Sequence, residues 1–330
     1  MSTKDTGYSN DISILFTEIA IPHNVRFWII LPFYVPSIIC SFFVLYHFLV
    51  DRTSRQALHN HVIIILLLMN LIVQLTSFPW ILNYYRLKYV WPQTRSFCLT
   101  WLFIDEALYI TTTLLFAWAT FERHILIFHD RLLGTRNKVI FVHYLPIVIL
   151  LLYCISYNII VVLVPPCKHY FDYTKVVCGS FPCSYHIRST ALWDVIVNDI
   201  IPTVIIVVCS VALLIRVLYR KSRMNQAIRW RAYRKMTIQV LSISLLYLII
   251  YVPKMLIEFL HLCGVPDHVG AHFVAYAEFF AYYGNLLLPF VYAGSIPELQ
   301  KKVWKIFPRW QRSTQVVEPQ TLSYSRRTTI

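Results

Sequence analysis

The feature that most limits what this chain can fold into is a series of seven apolar blocks, near residues 26–50, 61–84, 97–122, 139–164, 190–219, 233–262 and 268–294. The hydrocarbon core of a bilayer is about 30 Å thick, so a helix that crosses it needs about 20 mostly apolar residues. Lipid offers no partner to backbone amides and carbonyls, so each block must satisfy them internally and is predicted to be a helix. Strands of a membrane barrel would be about ten residues long and would alternate in polarity; these blocks do neither. Composition agrees: 58% of residues are hydrophobic and only 14% charged, against roughly 25% charged in soluble chains. That excludes a cytosolic enzyme, a disordered chain and a collagen-like fibre. Prolines within the blocks (Pro32, Pro36, Pro79, Pro146, Pro202, Pro253, Pro289) are tolerated in membrane helices and kink them. The fold class is an all-α membrane protein, a bundle of seven transmembrane helices.

Basic residues in short loops favour the cytoplasmic side. With the N-terminus outside, the inner segments hold 21 of the 30 Lys and Arg residues and the outer segments 8, Lys254 lying within a span. The reading is N-terminus out and C-terminus in. The net charge of +14 then reflects topology and contact with anionic lipid, and no nucleic-acid partner is expected. Residues 1–25 lack the apolar region of a signal peptide. Cys98 falls at the outer start of the third block, and Cys167, Cys178 and Cys183 in the loop before the fifth, where oxidising conditions form disulfides. These four permit three complete pairings. Cys40, Cys154 and Cys209 lie inside blocks, as packed thiols.

The third block carries the most information. Asp105 and Arg123 are 18 residues apart, five turns of an α-helix, so they share a face and are separated by a rise of ~27 Å. Cys98, seven residues before Asp105, lies near the same face, and Tyr109, Thr112, Phe116 and Ala119 fill the stripe between. A carboxylate within a span costs a few kcal/mol on insertion scales and should face a wet cavity or a partner.

At this point the residues resemble a known family, the rhodopsin-like (class A) G-protein-coupled receptors, over all seven blocks and the segment after them. Glu122-Arg123-His124 is similar to the family's acidic-Arg-aromatic triplet, 25 residues after the helix-three cysteine. Asn70 with Pro79, Pro202, the run Ile250-Tyr251-Val252-Pro253 and the run Leu288-Pro289-Phe290-Val291-Tyr292 match positions marked in the second, fifth, sixth and seventh helices. Ile296 to Phe307 resembles the short amphipathic helix along the inner membrane face. The resemblance divides the chain into an extracellular N-terminus (1–25), a receptor domain (26–294), an amphipathic eighth helix (295–307) and a cytoplasmic tail (308–330). It implies a disulfide from Cys98 to Cys183, or else to Cys178.

The departures make this a divergent member. The first-helix Asn and the fourth-helix Trp are missing, Asn70 replaces an Asp, Leu288 an Asn, Tyr251 a Trp, and Ser210 stands where a Tyr is common. A neutral amide at Asn70 should weaken any sodium site. No cofactor is expected, and Tyr282 stands where opsins attach retinal.

What the resemblance implies is a plasma-membrane receptor, not an enzyme, that binds an extracellular ligand and activates heterotrimeric G proteins, with arrestin docking on a phosphorylated tail. Its switch would comprise Glu122, Arg123, His124, Asn70, Pro253, Pro289 and Tyr292, with Glu122 holding Arg123 at rest. Its ligand cavity would comprise Asp105, Glu106, Tyr109, Asp194, Asn198, Tyr251, Lys254, Glu258, Glu278 and Tyr282. The helix-five serines and helix-six phenylalanines of amine receptors are absent, and the surplus of acids suits a basic or amidated peptide better than an amine. A salt bridge of Lys254 with Glu258 or Asp105 is the plain structural use of that lysine. The rival class is a multispan transporter of a small cationic solute; seven glycines and no visible internal repeat weigh against it.

Overall fold

The computed structural model describes residues 19–128, 135–179, 182–223, 227–266 and 268–295, with the backbone alone at 53–54, 59, 126–128, 136, 217–223, 227–240, 254 and 295. The eighth helix and tail expected after residue 295, most of the expected extracellular N-terminus, the Lys254 side chain and most side chains of the basic run around residues 216–235 lie outside what is described.

The seven apolar blocks form seven long helical segments. They are α1 (His23–Val50), α2 (Leu58–Leu75, resumed as Ser77–Leu87), α3 (Arg95–Phe128), α4 (Arg136–Val139 through Ile159–Leu163), α5 (Arg188–Trp193 through Ile201–Arg223), α6 (Ala227–Leu262) and α7 (Ala271–Ser295). Six of them are long and apolar enough to cross a membrane on those grounds alone. The seventh, α7, has 25 residues, about 38 Å at ~1.5 Å per residue. It carries His272, Tyr276, Glu278, Tyr282, Tyr283 and Asn285, which lower its hydropathy, and it packs in the bundle against α1 and α6.

Proline shapes three of these helices. α2 breaks at Thr76 (φ −110°, ψ −74°), whose hydroxyl donates to the Ile72 carbonyl at 2.7 Å. Pro79 then falls in the first turn of the resumed helix, where its missing N–H has no intrahelical bond to make. Pro202 has no N–H for the turn before it, and that turn, Asp194–Ile200, widens into a π-helix. Ile140–Tyr144 does the same ahead of Pro146. Widened turns change the faces on which the following side chains emerge. In α5 that turn bears Asp194, Asn198 and Asp199.

Leu66, Leu67, Leu115, Phe116, Ile206 and Tyr292 centre the apolar core towards the Arg123 end of the bundle. Ile30, Phe78, Trp101, Cys98 and Cys178 centre it towards the other end. Trp28, Ile39, Phe141, Leu152 and Ile249 are each more than 60% exposed. In water such apolar faces would aggregate; in a membrane they meet lipid. The chain is a multi-pass membrane protein.

A polar network joins three of the helices. Gln74 of α2 accepts from Ser41 (2.8 Å) and donates to Ser37 (2.8 Å) and to the Asn285 carbonyl of α7 (3.2 Å). Ser37 in turn donates to the Leu286 carbonyl at 2.7 Å. Gly284 lets α7 approach α6 closely: a Cβ there would sit 3.3 Å from Ile250 Cδ1 and 3.6 Å from the Tyr251 ring.

The loop between α4 and α5 is stapled over one end of the bundle. Cys98 pairs with Cys178 (Cα–Cα 5.8 Å) and Cys167 with Cys183 (Cα–Cα 6.0 Å). The Cys98–Cys183 bridge is therefore not formed; the alternative partner, Cys178, takes its place. Loop geometry decides this. Asp172 N–H donates to the Cys178 carbonyl (2.7 Å), and Val90 N–H to Tyr173 (2.8 Å), folding 172–178 back over the start of α3. His169 accepts from Cys183 N–H (3.3 Å) and donates to the Val162 carbonyl (2.9 Å), which holds Cys183 near the end of α4.

Candidate functional site

The stripe read on the third block is an inward face of α3. Cys98, Phe116, Ala119 and Arg123 are buried, and Asp105 and Tyr109 half-buried. Five hydrophobic turns thus connect a half-buried carboxylate at the loop-covered end with a buried guanidinium at the other.

At the loop-covered end the acids are spread over four helices, and the three aspartates are held by hydroxyl or amide donors. Asp105 accepts from the Ser77 hydroxyl of α2 at 2.7 Å. Asp199 of α5 is buried and accepts from the Tyr109 hydroxyl at 2.9 Å. Asp194 accepts from Tyr157 of α4 at 2.9 Å and from Asn198 at 2.7 Å. Asn198 accepts in turn from the Tyr153 hydroxyl at 2.9 Å. Tyr282 of α7 lies in the field of the Asp105 and Glu278 carboxylates. The Tyr109 hydroxyl lies in that of Asp199 and Glu258, and Glu106 acts on Tyr185 of the loop.

Two groupings follow for the residues expected to bind ligand. Asp105, Tyr109, Tyr251, Glu258, Glu278 and Tyr282 form the central group. Asp194 and Asn198 are drawn towards α4 by Tyr157 and Tyr153, two residues that sequence reasoning did not single out. Asp199, outside the expected ligand set, joins the central group through its bond to Tyr109. Pro202, three residues further on, is the sequence signal for the widened turn that carries it. A hollow of about 660 Å³ opens beside the Cys167–Cys183 bridge, lined by Lys168, Tyr170 and His186 among others; none of the acids lines it.

A line of tyrosines runs from these acids towards the middle of the bundle. The rings of Tyr109 and Tyr251 are 5.8 Å apart, and Tyr251 stacks on Tyr247 at 4.7 Å. Tyr247 donates to the Thr113 hydroxyl at 3.3 Å and touches Phe116 (5.6 Å between rings). Below it, Ser210 of α5 donates to Ser244 of α6 at 2.8 Å, both buried.

At the far end Arg123 and Tyr292 are buried close together. Glu122 is turned to His143 of α4, whose Nδ1 contacts its carboxylate. The Glu122 carboxylate thus meets α4 as well as acting through its charge on Arg123. Neighbouring residues of a helix do not face each other, whereas His143, fully buried on the adjoining helix, meets Glu122 directly. His124 Nε2 lies 2.8 Å from the Cys209 carbonyl of α5. Asn70 is buried on α2, and Pro253 and Pro289 stand inside α6 and α7.

Residues 40–292 match the profile of the 7 transmembrane receptor (rhodopsin family), and the chain belongs to that family, whose members are receptors and not enzymes. Among solved structures, squid rhodopsin is similar over 88% of this chain and 87% of its own, with a TM-score of 0.65 and 18% sequence identity. At that identity the likeness shows the fold. No curated protein matches.

Proposed function

We propose that this chain is a plasma-membrane G-protein-coupled receptor, N-terminus outside, that binds a cationic extracellular ligand at the acids around Asp105 and Asp199 and activates heterotrimeric G proteins through its Arg123 end. The carrying observation is the unbroken run from Asp199 through Tyr109, Tyr251 and Tyr247 to Thr113 and Phe116. A positive group that draws Asp199 or Asp105 from its hydroxyl donor changes the side chain against which Tyr251 rests. Tyr251 sits two residues before Pro253, the expected hinge of α6. Outward movement of α6 would break the Ser210–Ser244 bond and open the Arg123 end to a G-protein α subunit. A ligand can shift that equilibrium only by its difference in affinity for the two states.

A peptide suits the site better than a small amine. The acids stand on α3, α5, α6 and α7, more carboxylates than one ammonium can meet, and a long loop, itself closed by the Cys167–Cys183 bridge, is held over them by the Cys98–Cys178 disulfide. Basic or amidated peptides and amines should be screened with a promiscuous α subunit, reading nucleotide exchange. Peptides should activate, and Asp105→Asn and Arg123→Ala should abolish the response. Agonist-driven exchange that survives Arg123→Ala would overturn the mechanism; activation by amines alone would overturn the ligand class.

A further inference from the structure

Beneath the Arg123 end, His143 contacts Glu122 through Nδ1, and its other nitrogen, Nε2, lies 3.1 Å from His61 Nδ1 of α2. His61 Nε2 lies 2.9 Å from the Arg55 carbonyl in the short helix Arg52–Gln56. Each contact needs one hydrogen between its two heavy atoms. The Arg55 carbonyl can only accept, so His61 Nε2 carries the first. The two facing nitrogens share the second, and His143 and Glu122 the third. Three contacts therefore hold three protons. Two neutral imidazoles supply two of them. The third makes one ring an imidazolium beside a carboxylate, or makes Glu122 a carboxylic acid beside two neutral rings.

Both arrangements carry no net charge, which is what a site with His143 fully buried and Glu122 3% exposed requires. Removing one proton leaves two lone pairs facing each other across one contact; adding one sets two N–H groups against each other. Either change opens a joint between different elements. Among the described residues, the neighbouring titratable groups do not supply the missing proton. Tyr144 stacks edge-on against His143 (4.6 Å between centroids), its hydroxyl 3.5 Å from His61 Nδ1. The Arg55 guanidinium donates to the Leu49 carbonyl. Arg123, next along α3, lies in the field of the Glu122 carboxylate. Asn60, buried beside His61, is uncharged.

We infer that His61, His143 and Glu122 form a three-proton clamp that binds α2, α3 and α4 together, with His143 as the residue that positions Glu122, and that the clamp makes this end of the receptor respond to pH. Loss of one proton frees the Glu122 carboxylate towards Arg123, which is the contact that steadies a resting switch. This last consequence rests on the proposed G-protein coupling; the clamp itself does not.

The test uses the full chain in lipid nanodiscs, uniformly ¹⁵N-labelled on histidine, with ring nitrogens followed by NMR from about pH 5.5 to 8.5. His61→Gln and His143→Gln assign the signals. The expected result is one shared transition for His61 and His143, with Glu122→Gln shifting both together while the remaining histidines stay in place. Independent transitions for the two rings, unmoved by Glu122→Gln, would overturn the clamp. If either histidine variant fails to fold, simultaneous movement of exactly two signals in the wild type and their joint shift in Glu122→Gln decide the matter alone. A second arm reads basal nucleotide exchange on a promiscuous α subunit over the same range. Exchange should fall as pH rises through the shared transition, and His143→Gln should remove that dependence. A pH profile unaltered by His143→Gln would overturn the link to the switch. No exchange at any pH beside an intact shared transition would instead overturn the G-protein reading and leave the clamp standing.

Discussion

At the scale of single residues, the acids of the loop-covered end are set by their donors more than by their number. Tyr109 both donates to Asp199 and lies against Tyr251, so its ring and its hydroxyl can be separated. Tyr109→Phe keeps the ring and removes the bond; hydrogen bonds to charged groups contribute about 1.5–3 kcal/mol. Agonist potency should shift by roughly tenfold or more, with surface expression near normal; an unchanged dose–response curve would contradict the role given to that bond. In the loop, the Thr174 hydroxyl, helped by the Thr174 amide and Lys175, holds the Asp172 carboxyl below its ordinary value against the opposing effect of burial. A depressed carboxylate stabilises the fold above its unfolded value, and that contribution is lost as pH falls through the folded one. Thermal stability should therefore decline on acidification below about pH 4, and Asp172→Asn should flatten this part of the curve in a melting series.

At the scale of elements, the helices were legible in the sequence because the bilayer fixes their length and polarity. The blocks read as 26–50 and 61–84 became His23–Val50 and Asn60–Leu87, and 139–164 became Asn137–Leu163. What sequence pattern could not give is how the helices meet, since Gln74, Ser37 and Ser41 show their joint use only when three helices touch. The Ser210–Ser244 bond is another such joint. A neutral hydrogen bond is worth about 1 kcal/mol, about fivefold in an equilibrium constant. Ser244→Ala should raise basal nucleotide exchange by a few-fold without changing ligand affinity in the resting state; reduced basal exchange would mean that the bond serves the active form.

At the scale of the whole molecule, one disulfide ties the loop to α3 and the other closes a ring within the loop, over very different spans of chain, 80 residues for Cys98–Cys178 and 16 for Cys167–Cys183. By the chain-entropy account, the longer loop gives the larger stabilisation, by ~1.4 kcal/mol for a fivefold ratio of lengths. Cys98→Ser should accordingly lower the melting temperature more than Cys167→Ser, measured by thiol-reactive dye in detergent. Equal losses would show that local packing around Val90 and His169, and not loop closure, governs this end. Loss of either bridge should also loosen the cover over the acids and speed ligand dissociation.

The sequence by itself determined that the chain crosses a membrane as a helix bundle, because twenty apolar residues in lipid have no other way to satisfy their backbone. It also determined that Cys98, Asp105 and Arg123 share one face, because 3.6 residues per turn leaves no freedom in the matter. Tertiary structure alone decided that Cys178 and not Cys183 meets Cys98, that Asp199 joins Tyr109, and that Glu122 turns to His143. Each of those contacts joins segments far apart in the chain, and its geometry depends on a loop fold, a widened turn before a proline, or the approach of a neighbouring helix. Periodicity along one helix carries no information about what stands opposite it.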